Sequence, residues 1–569
     1  MARVRVVEIH HFRGIKSLRW LPSAGINCLI GPGDSGKTTV LDAIDLCLGA
    51  RRNVQFTDAD FHALDISAPI SISVTIGELE EGLKELDGYG LYLRSFDDRN
   101  GAIEDEPEKD GETVLTINLS VSTDLEPVWT LRSERAAAQG VTRNLSWADR
   151  VRLAPTRIGA FADNNLSWRR GSVLNLLSEE RPDASAALVK AARDARAAFG
   201  DQAEEQLGET LDIVAKTAKE LGIPFGKALK ALLDTHSVSF SGGTISLHDE
   251  QGVPLRGLGL GSVRLLTAAL QRKASKQATI VLVDELEHGL EPHRIMRLLS
   301  SLGAKEKAPP LQAFVTTHSP VAVRELTGDQ LFVIRRTADT HVVLPVGTSD
   351  DIQSTVRLYP EAFLASTVVV CEGASEVGLL RGLDLFRISR GYQSLGAMGV
   401  ALVDGNGITK VYPRALAFLA LGYRVMLLRD SDVLPKPEEE SLLTHAGGKL
   451  QCWRIPRCLE DELFASLSLQ AVALLLNRAI EVHGESLVDD HIKSASGGAA
   501  ALAAYRVGLN DNARSTLARA SCSKKAGWFK SVTWMESAAC DIVGPALETA
   551  SDQGFSKFLY DMFMWLENG

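Results

Sequence analysis

The chain has 569 residues, 45% hydrophobic and 23% charged, with 61 Lys and Arg against 72 Asp and Glu for a formal charge of −11. That length points to more than one domain, the composition excludes a wholly disordered chain, and the acidity excludes a uniformly basic nucleic-acid coat while allowing a local basic groove. Apolar runs such as Thr367 to Cys371 fall far short of the ~20 residues of a membrane helix, and the N-terminal stretch has no secretory apolar segment. A cytoplasmic protein with no membrane partner is expected. The seven cysteines are odd in number and contain no Cys-x-x-Cys pair, which argues against a disulfide framework or a zinc ribbon.

In chain order, Val4 to Ile9 and Ile26 to Ile30 are predicted strands, apolar and partly β-branched. A glycine-rich loop and a helix closed by Gly49 follow. Residues 70–76 and 114–122 are further predicted strands, and the acidic stretch from Asp97 to Glu112 reads as a solvated hairpin loop. Residues 182–235 are Ala-rich. Leu207, Leu211, Val214, Ala218 and Leu221 step by four and three along one helical face, between a start at Pro182-Asp183 and a stop at Gly222-Ile223-Pro224. Both a core-packing helix pair and a dimerisation arm fit that pattern. Strand, helix and strand resume over 279–318, and 331–345 reads as a hairpin. A second α/β run has strands in TVVVC, GVALV, YRVMLLR and LQCWRI, and the chain is mostly helical after 463. Alternating strands and helices imply a parallel sheet with function at the carboxyl ends of the strands.

The loop Gly31-Pro-Gly33-Asp34-Ser35-Gly36-Lys37-Thr38 fits the phosphate-loop pattern between a strand and a helix, with Thr39 next in the helix. Its glycines let backbone N–H groups turn toward phosphates, Lys37 faces the β- and γ-phosphates, and Thr38 offers a hydroxyl to Mg²⁺. The apolar strand Ile280 to Val283 ends in Asp284, a candidate for holding the cation, and Glu285, a candidate for polarising water. His318, after Thr316-Thr317, stands where a γ-phosphate sensor belongs.

FRGI, the phosphate loop, DELEHGLEPH and TTHS together resemble an ABC-type ATPase of the chromosome-maintenance and recombination branch. The resemblance implies ATP with one Mg²⁺, and a signature loop that completes a partner subunit's site. Leu258 to Arg264 takes the signature position, with Gly261 and Ser262 as its binding residues, although it departs from the common LSGGQ form. Gln55 and Asp60 are alternative Q-loop residues.

Farther on, Glu372 ends one strand and Glu376 follows a helical turn later. Asp430-Ser-Asp432 ends another strand, and Glu460-Asp461-Glu462 follows a third. Carboxylates gathered at strand ends repel one another, and a Mg²⁺ or Mn²⁺ ion relieves that repulsion. The order strand-Glu-Gly-x-x-Glu, strand-Gly, strand-Asp-x-Asp resembles the Toprim domain in its two-metal nuclease form, with Gly405 or Gly407 as the glycine turn. That resemblance makes Glu372, Glu376, Asp430, Asp432 and Glu460 the ligand set for two ions. It asks for a late lysine, and Lys524, Lys525 and Lys530 are available, either there or on a basic surface helix.

An ABC-type ATPase followed by Toprim resembles the overcoming-lysogenization-defect (OLD) nucleases, the group of the nuclease subunit of the Gabija anti-phage system. The fold implied is α/β: an ATPase domain at 1–350 with a helical dimerisation insert at 172–235, then a Rossmann-like Toprim domain at 362–569 with a helical C-terminal part. The function implied is ATP-binding and hydrolysing, metal-dependent DNA cleavage by a homodimer or higher homo-oligomer, in anti-phage defence, beside a superfamily-1 helicase encoded nearby. Arg169, Arg170, Lys524, Lys525 and Lys530 are candidates for phosphate contacts, and Trp168 for stacking or simple packing. The rival reading is a DNA-binding ATPase in repair or recombination whose Toprim domain is a scaffold. A topoisomerase or primase would need modules that the stretch after 463 is too short to hold.

Overall fold

The computed structural model describes residues 2–51, 54–108, 110–159, 165–166, 172–177, 190, 194, 206–216, 247–252, 254–274, 279–337, 340–523 and 526–568. Thirteen strands among these residues form one mixed sheet. Its parallel half runs in the order Thr156–Ile158, Ile280–Val283, Gln312–Thr316, Ile26–Ile30 and Leu331–Arg336. The three central strands are buried at every position, as a parallel sheet covered on both faces requires. The chain then turns back as the hairpin Leu331–Arg336 and His341–Pro345. Beyond it lie Ile15–Trp20, Arg3–Phe12, Ile70–Gly77 and Glu112–Val121, the last four strands pairing antiparallel in turn. The acidic stretch from Asp97 to Glu112 is not all loop: Arg94–Asp97 pairs with Ala102–Glu104, and Glu112 opens the next strand. Phe96 and Ile103 pack on Val6 and Val114, which holds the two short strands against the sheet.

A second sheet holds four parallel strands in the order Val400–Asp404, Thr367–Cys371, Arg424–Arg429 and Lys449–Cys452. All four carboxyl ends therefore lie on one edge. The alternation of its residues divides the packing. Val368, Val370, Val425 and Leu427 join a cluster that includes Cys28, Val281 and Val315 of the first sheet. Val369, Cys371, Met426 and Leu428 face the C-terminal helices instead. Those helices include Leu459–Ser466, Asp511–Ser521 and Val532–Ala538.

Of the expected insert at 172–235, residues 206–216 are helical, with Leu207, Ile213 and Val214 exposed. Its expected start and stop, Ala218 and Leu221 lie outside the described residues, as do Trp168, Arg169, Arg170, Lys524 and Lys525. No described helix is long and apolar enough to cross a membrane.

Candidate functional site

The loop after Ile30 is shaped by left-handed backbone at Gly31 (φ 146°), Asp34 (φ 56°) and Gly36 (φ 91°). Gly31 is required twice over, since a Cβ there would also stand 2.8 Å from the Ile334 carbonyl oxygen. Gly33 lies at the open crest of the loop, and Ser35 is buried beneath it. Lys37 opens the helix Lys37–Leu48, whose N-terminus favours anions. Its Nζ donates to the carbonyls of Gly31 (3.1 Å) and Pro32 (2.7 Å) and to Ser35 Oγ (3.3 Å). Burial pulls the Lys37 ammonium below its ordinary pKa, with Asp34, Glu287 and Asp284 opposing the shift.

Strand order brings distant residues to this loop. Asp284 Oδ1 accepts from Thr38 Oγ1 at 3.1 Å and from Thr316 Oγ1 at 2.7 Å. Glu285 takes a left-handed backbone (φ 45°) and points an exposed carboxylate outward, while its N–H donates to Thr316 Oγ1. The His318 side chain is exposed, and its backbone N–H donates to Glu287 Oε1 at 2.7 Å. Gly261 and Ser262 lie in the first turn of Leu260–Lys273. A Cβ on Gly261 would overlap the Gly289 carbonyl oxygen, and Ser262 Oγ accepts from Arg294. Of the two Q-loop candidates, Asp60 is bound by Arg13 at 2.9 Å, and Gln55 is exposed.

Three residues here escaped the sequence reading. Arg157 donates to Asp42 Oδ1 (2.6 Å), Asp45 Oδ2 (3.2 Å) and Asp284 Oδ2 (3.3 Å) from a three-residue strand that carries no motif. Glu287 joins the strand ends by accepting from Thr317 Oγ1 and the His318 N–H. Arg264, almost wholly buried, donates to the carbonyls of Asp284, Glu285 and His288 and so fixes the turn after the strand. Arg264 and Glu287 had a signal, their places in the Leu258 to Arg264 and DELEHGLEPH segments, although neither was given a role.

The second cluster lies at the carboxyl edge of the four-stranded sheet. Glu372 Oε2 accepts from the Asp430 N–H at 3.0 Å, which ties two neighbouring strand ends together. Both glycine candidates serve this turn: Gly405 N–H donates to the Cys371 carbonyl and Gly407 N–H to the Glu372 carbonyl. Glu376, buried in the first turn of Ala374–Ser389, accepts from the Gly373 N–H at 3.0 Å. Asp430 Oδ1 accepts from the Leu459 N–H at 2.9 Å. Glu460 is fully buried, with Lys530 Nζ 2.8 Å from Oε1 and 3.0 Å from Oε2. The Oε1 contact is an ion pair without a well-directed hydrogen bond.

Their electrostatics mark one cluster. Burial, then Asp430 and Glu460, hold the Glu376 carboxyl well above its ordinary range. Burial, Glu460 and Glu372 push Asp430 up to about 7. Burial also raises Glu372. Lys530 opposes each of these shifts, and despite burial its own pKa is raised, chiefly by Glu460. Asp432 stands exposed at the rim, where its charge adds to the repulsion on Glu372 and Asp430. Glu462 is engaged elsewhere, by Arg454 and Arg457. Of the candidate lysines only Lys530 lies among the described residues; Lys525 does not. These carboxylates repel one another, with the Lys530 ammonium beside Glu460 as their counter-charge.

Residues 26–324 match the family model described as "AAA domain, putative AbiEii toxin, Type IV TA system". No curated protein matches the chain. Among solved structures, the chain is similar to the Smc head bound to the C-winged helix domain of ScpA, at 15% identity and a TM-score of 0.34 over 60% of this chain and 96% of that one. It is similar to the Smc head domain of Pyrococcus furiosus at 14% identity and a TM-score of 0.33, covering 60% and 96%. It is also similar to the recombination mediator protein RecF at 11% identity and a TM-score of 0.31, covering 61% and 98%.

Proposed function

The chain belongs to the AAA-domain family of P-loop ATPases, whose model spans residues 26–324 of its 569, and from that premise we propose an ATP-hydrolysing, Mg²⁺- or Mn²⁺-dependent DNA endonuclease of the OLD type, acting in anti-phage defence. The observation that carries the nuclease reading is the convergence of Glu372, Glu376, Asp430 and Glu460 around Lys530 at one sheet edge. The division of labour follows the two sheets, with an ATPase domain at 1–350 and a Toprim nuclease domain at 362–569.

In the ATPase domain, Lys37 and the loop from Gly31 to Thr39 bind the phosphates. Thr38 and Asp284, already joined through a hydrogen bond, would hold the Mg²⁺ of the nucleotide. Glu285 orients water, His318 senses the γ-phosphate, and Gly261 with Ser262 reaches a partner's nucleotide, so the working species is a homodimer or a larger homo-oligomer. In the second domain, Glu372, Glu376, Asp430, Asp432 and Glu460 hold two ions, which supply an activated water and a stabilised leaving oxygen. Lys530 balances charge on the phosphodiester while Glu460 fixes its ammonium. Lys525, a superfamily-1 helicase partner and a cytoplasmic setting belong to the same proposal.

The test is plasmid cleavage in Mn²⁺, read beside ATP hydrolysis and a melting curve for each variant. Glu372→Ala and Asp430→Ala are expected to lose cleavage by orders of magnitude and to keep ATPase activity. Lys37→Ala is expected to lose ATP hydrolysis and stay folded. If the two carboxylate variants fold and still cut like the wild type, the second domain is a scaffold and the nuclease reading fails.

A further inference from the structure

Two cysteines converge on Glu460. Cys458 caps the start of Leu459–Ser466, and Cys522 caps the end of Asp511–Ser521. Their Sγ atoms lie 3.4 Å apart, and Cys522 Sγ is 3.8 Å from Glu460 Oε2. All three candidate ligand atoms fall within 4.8 Å of one another. We propose that Cys458, Cys522 and Glu460 form a binding site for a thiophilic divalent cation, Zn²⁺ by its chemistry, next to the acidic cluster. The site stands whether or not the cluster cleaves DNA.

The spacing suits a metal better than a covalent bond. Two sulfurs on a tetrahedral zinc, each ~2.3 Å from the ion, stand ~3.8 Å apart. The pair needs to open by a few tenths of an ångström to reach that geometry. A disulfide requires ~2.0 Å, a closure of more than an ångström in the opposite direction. Glu460 can serve without losing its lysine, because Lys530 Nζ, which donates to Oε2 at 3.0 Å, also lies 2.8 Å from Oε1 and can settle there when Oε2, the oxygen facing Cys522, takes the ion. Oε1 lacks a well-directed hydrogen bond despite complete burial, so this carboxylate has acceptor capacity that its neighbours leave unfilled. Asp461 Oδ2 is 3.4 Å from Cys458 Sγ but lies outside the trio, which leaves the fourth position to water.

Charge balance is kept on binding: Zn²⁺ takes the two thiols as thiolates and their two protons leave, so no net charge is added beside Glu460 and its Lys530. Ligand softness separates the two sides: the oxygen-only side takes a hard cation, and the sulfur side a thiophilic one. Glu460 stands between them, and neither the cysteine spacing nor the acidic motif signals this in the sequence.

The experiment titrates the full chain, reduced and freed of metal by a chelator, with Co²⁺ and then Zn²⁺. One equivalent of Co²⁺ should bring a thiolate-to-cobalt charge-transfer band in the near ultraviolet, and Zn²⁺ should remove it. Cys458→Ser and Cys522→Ser should each abolish the band and weaken Zn²⁺ binding by more than about 100-fold, more than the loss of an outer-shell contact costs. Cys540→Ser, a thiol outside the trio, should retain it. Glu460→Gln should keep the band at reduced affinity, since both sulfurs remain. Because the readout is a spectrum, failure here leaves the nuclease test standing, and the reverse also holds. Co²⁺ bound without charge transfer, a band that survives both serine variants, or a Cys458–Cys522 disulfide in the chain as purified, before reduction, would overturn the proposal. Cys522 is only partly buried, so its variant decides the matter if Cys458→Ser fails to fold.

Discussion

Asp430 carries the strain of the acidic cluster in a single proton. Its carboxyl, ordinarily at 3.8, is pushed up to about 7 by burial and by Glu460 and Glu372. Between those values the folded chain holds a proton that the unfolded chain has lost. Stability in the absence of metal therefore falls as pH rises through that window, and the loss is complete above about 7. Asp430→Asn removes the charge and keeps an oxygen for the Leu459 N–H. In chelator, the variant should melt with the wild type near pH 4, gain on it up to pH 7, and lead by about 1 to 4 kcal/mol at pH 8, one pKa unit being worth about 1.4 kcal/mol. Saturating Mg²⁺ should reverse the order, because the wild type alone keeps all its ligands. Thermal melts across pH, with chelator and with Mg²⁺, check this. An equal lead at pH 4 and pH 8 would show that the charge is not the cause.

At the scale of elements, the helix Ala374–Ser389 sets how far Glu376 stands from Lys530. It packs against Val532–Ala538 through two glycines one turn apart. A Cβ on Gly378 would stand 2.6 Å from the Val532 carbonyl oxygen, and one on Gly382 would overlap the Glu536 carbonyl. Gly382→Ala gains about 1 kcal/mol of helix propensity and loses about 1 to 3 kcal/mol to overpacking, so a lower melting temperature is expected. Cleavage should fall as well, because Glu376 rides on the displaced helix and Lys530 lies just before its partner. Alanine at exposed Leu385 on the same helix is the control, expected to change stability by less than about 0.5 kcal/mol. If Gly382→Ala melts and cuts like the wild type, the close approach does not set the site. This packing was not legible in the sequence, where two glycines in a helix read only as poor helix formers. The strands ending at Asp284, Glu372 and Asp430 were legible, since unbroken apolar runs that stop at an acid admit few other readings. The sequence offered Lys524, Lys525 and Lys530 alike, and the Lys530–Glu460 contact spans 70 residues, which no local pattern carries. Arg157 had no pattern around it, as its partners are 115, 112 and 127 residues away.

For the whole molecule, two predictions concern how sites communicate between subunits and between sheets. Leu207 and Val214, seven residues apart on one face of the helical residues 206–216, are exposed, and the homodimer reading has a second copy of the chain cover that face. Glutamate at Leu211 and Val214 together should therefore yield monomers in sedimentation with ATP, and a wild-type chain that already sediments as a monomer would sink that idea. Between the sheets, the path from the phosphate loop is short. Ile30 pairs with Val333, Gly31 rests against the Ile334 carbonyl, and the charge of the next residue, Arg335, acts on Lys37. The Arg335 guanidinium lies 3.8 Å from the ring centre of Tyr423, and its buried Nε and one terminal nitrogen lack hydrogen-bond partners. Tyr423, wedged edge-on against Phe418 and Phe363, immediately precedes the strand Arg424–Arg429, which ends at Asp430. These contacts form a continuous path from the phosphate-loop strand to the strand that carries a proposed metal ligand. Arg335→Ala removes the contact, worth about 0.5 to 2 kcal/mol, and with it the charge that acts on Lys37, while leaving every proposed site residue in place. ATP hydrolysis and metal-dependent cleavage should both persist in the variant. The change that ATP makes in cleavage should shrink, since coupling between sites is typically only about 1 to 3 kcal/mol and this contact is of comparable size. Cleavage rates measured with and without ATP, in the wild type and in Arg335→Ala, decide it. An unchanged ATP effect in a folded variant would show that the sheets are coupled by another route, and loss of ATP hydrolysis itself would place Arg335 in the nucleotide site instead.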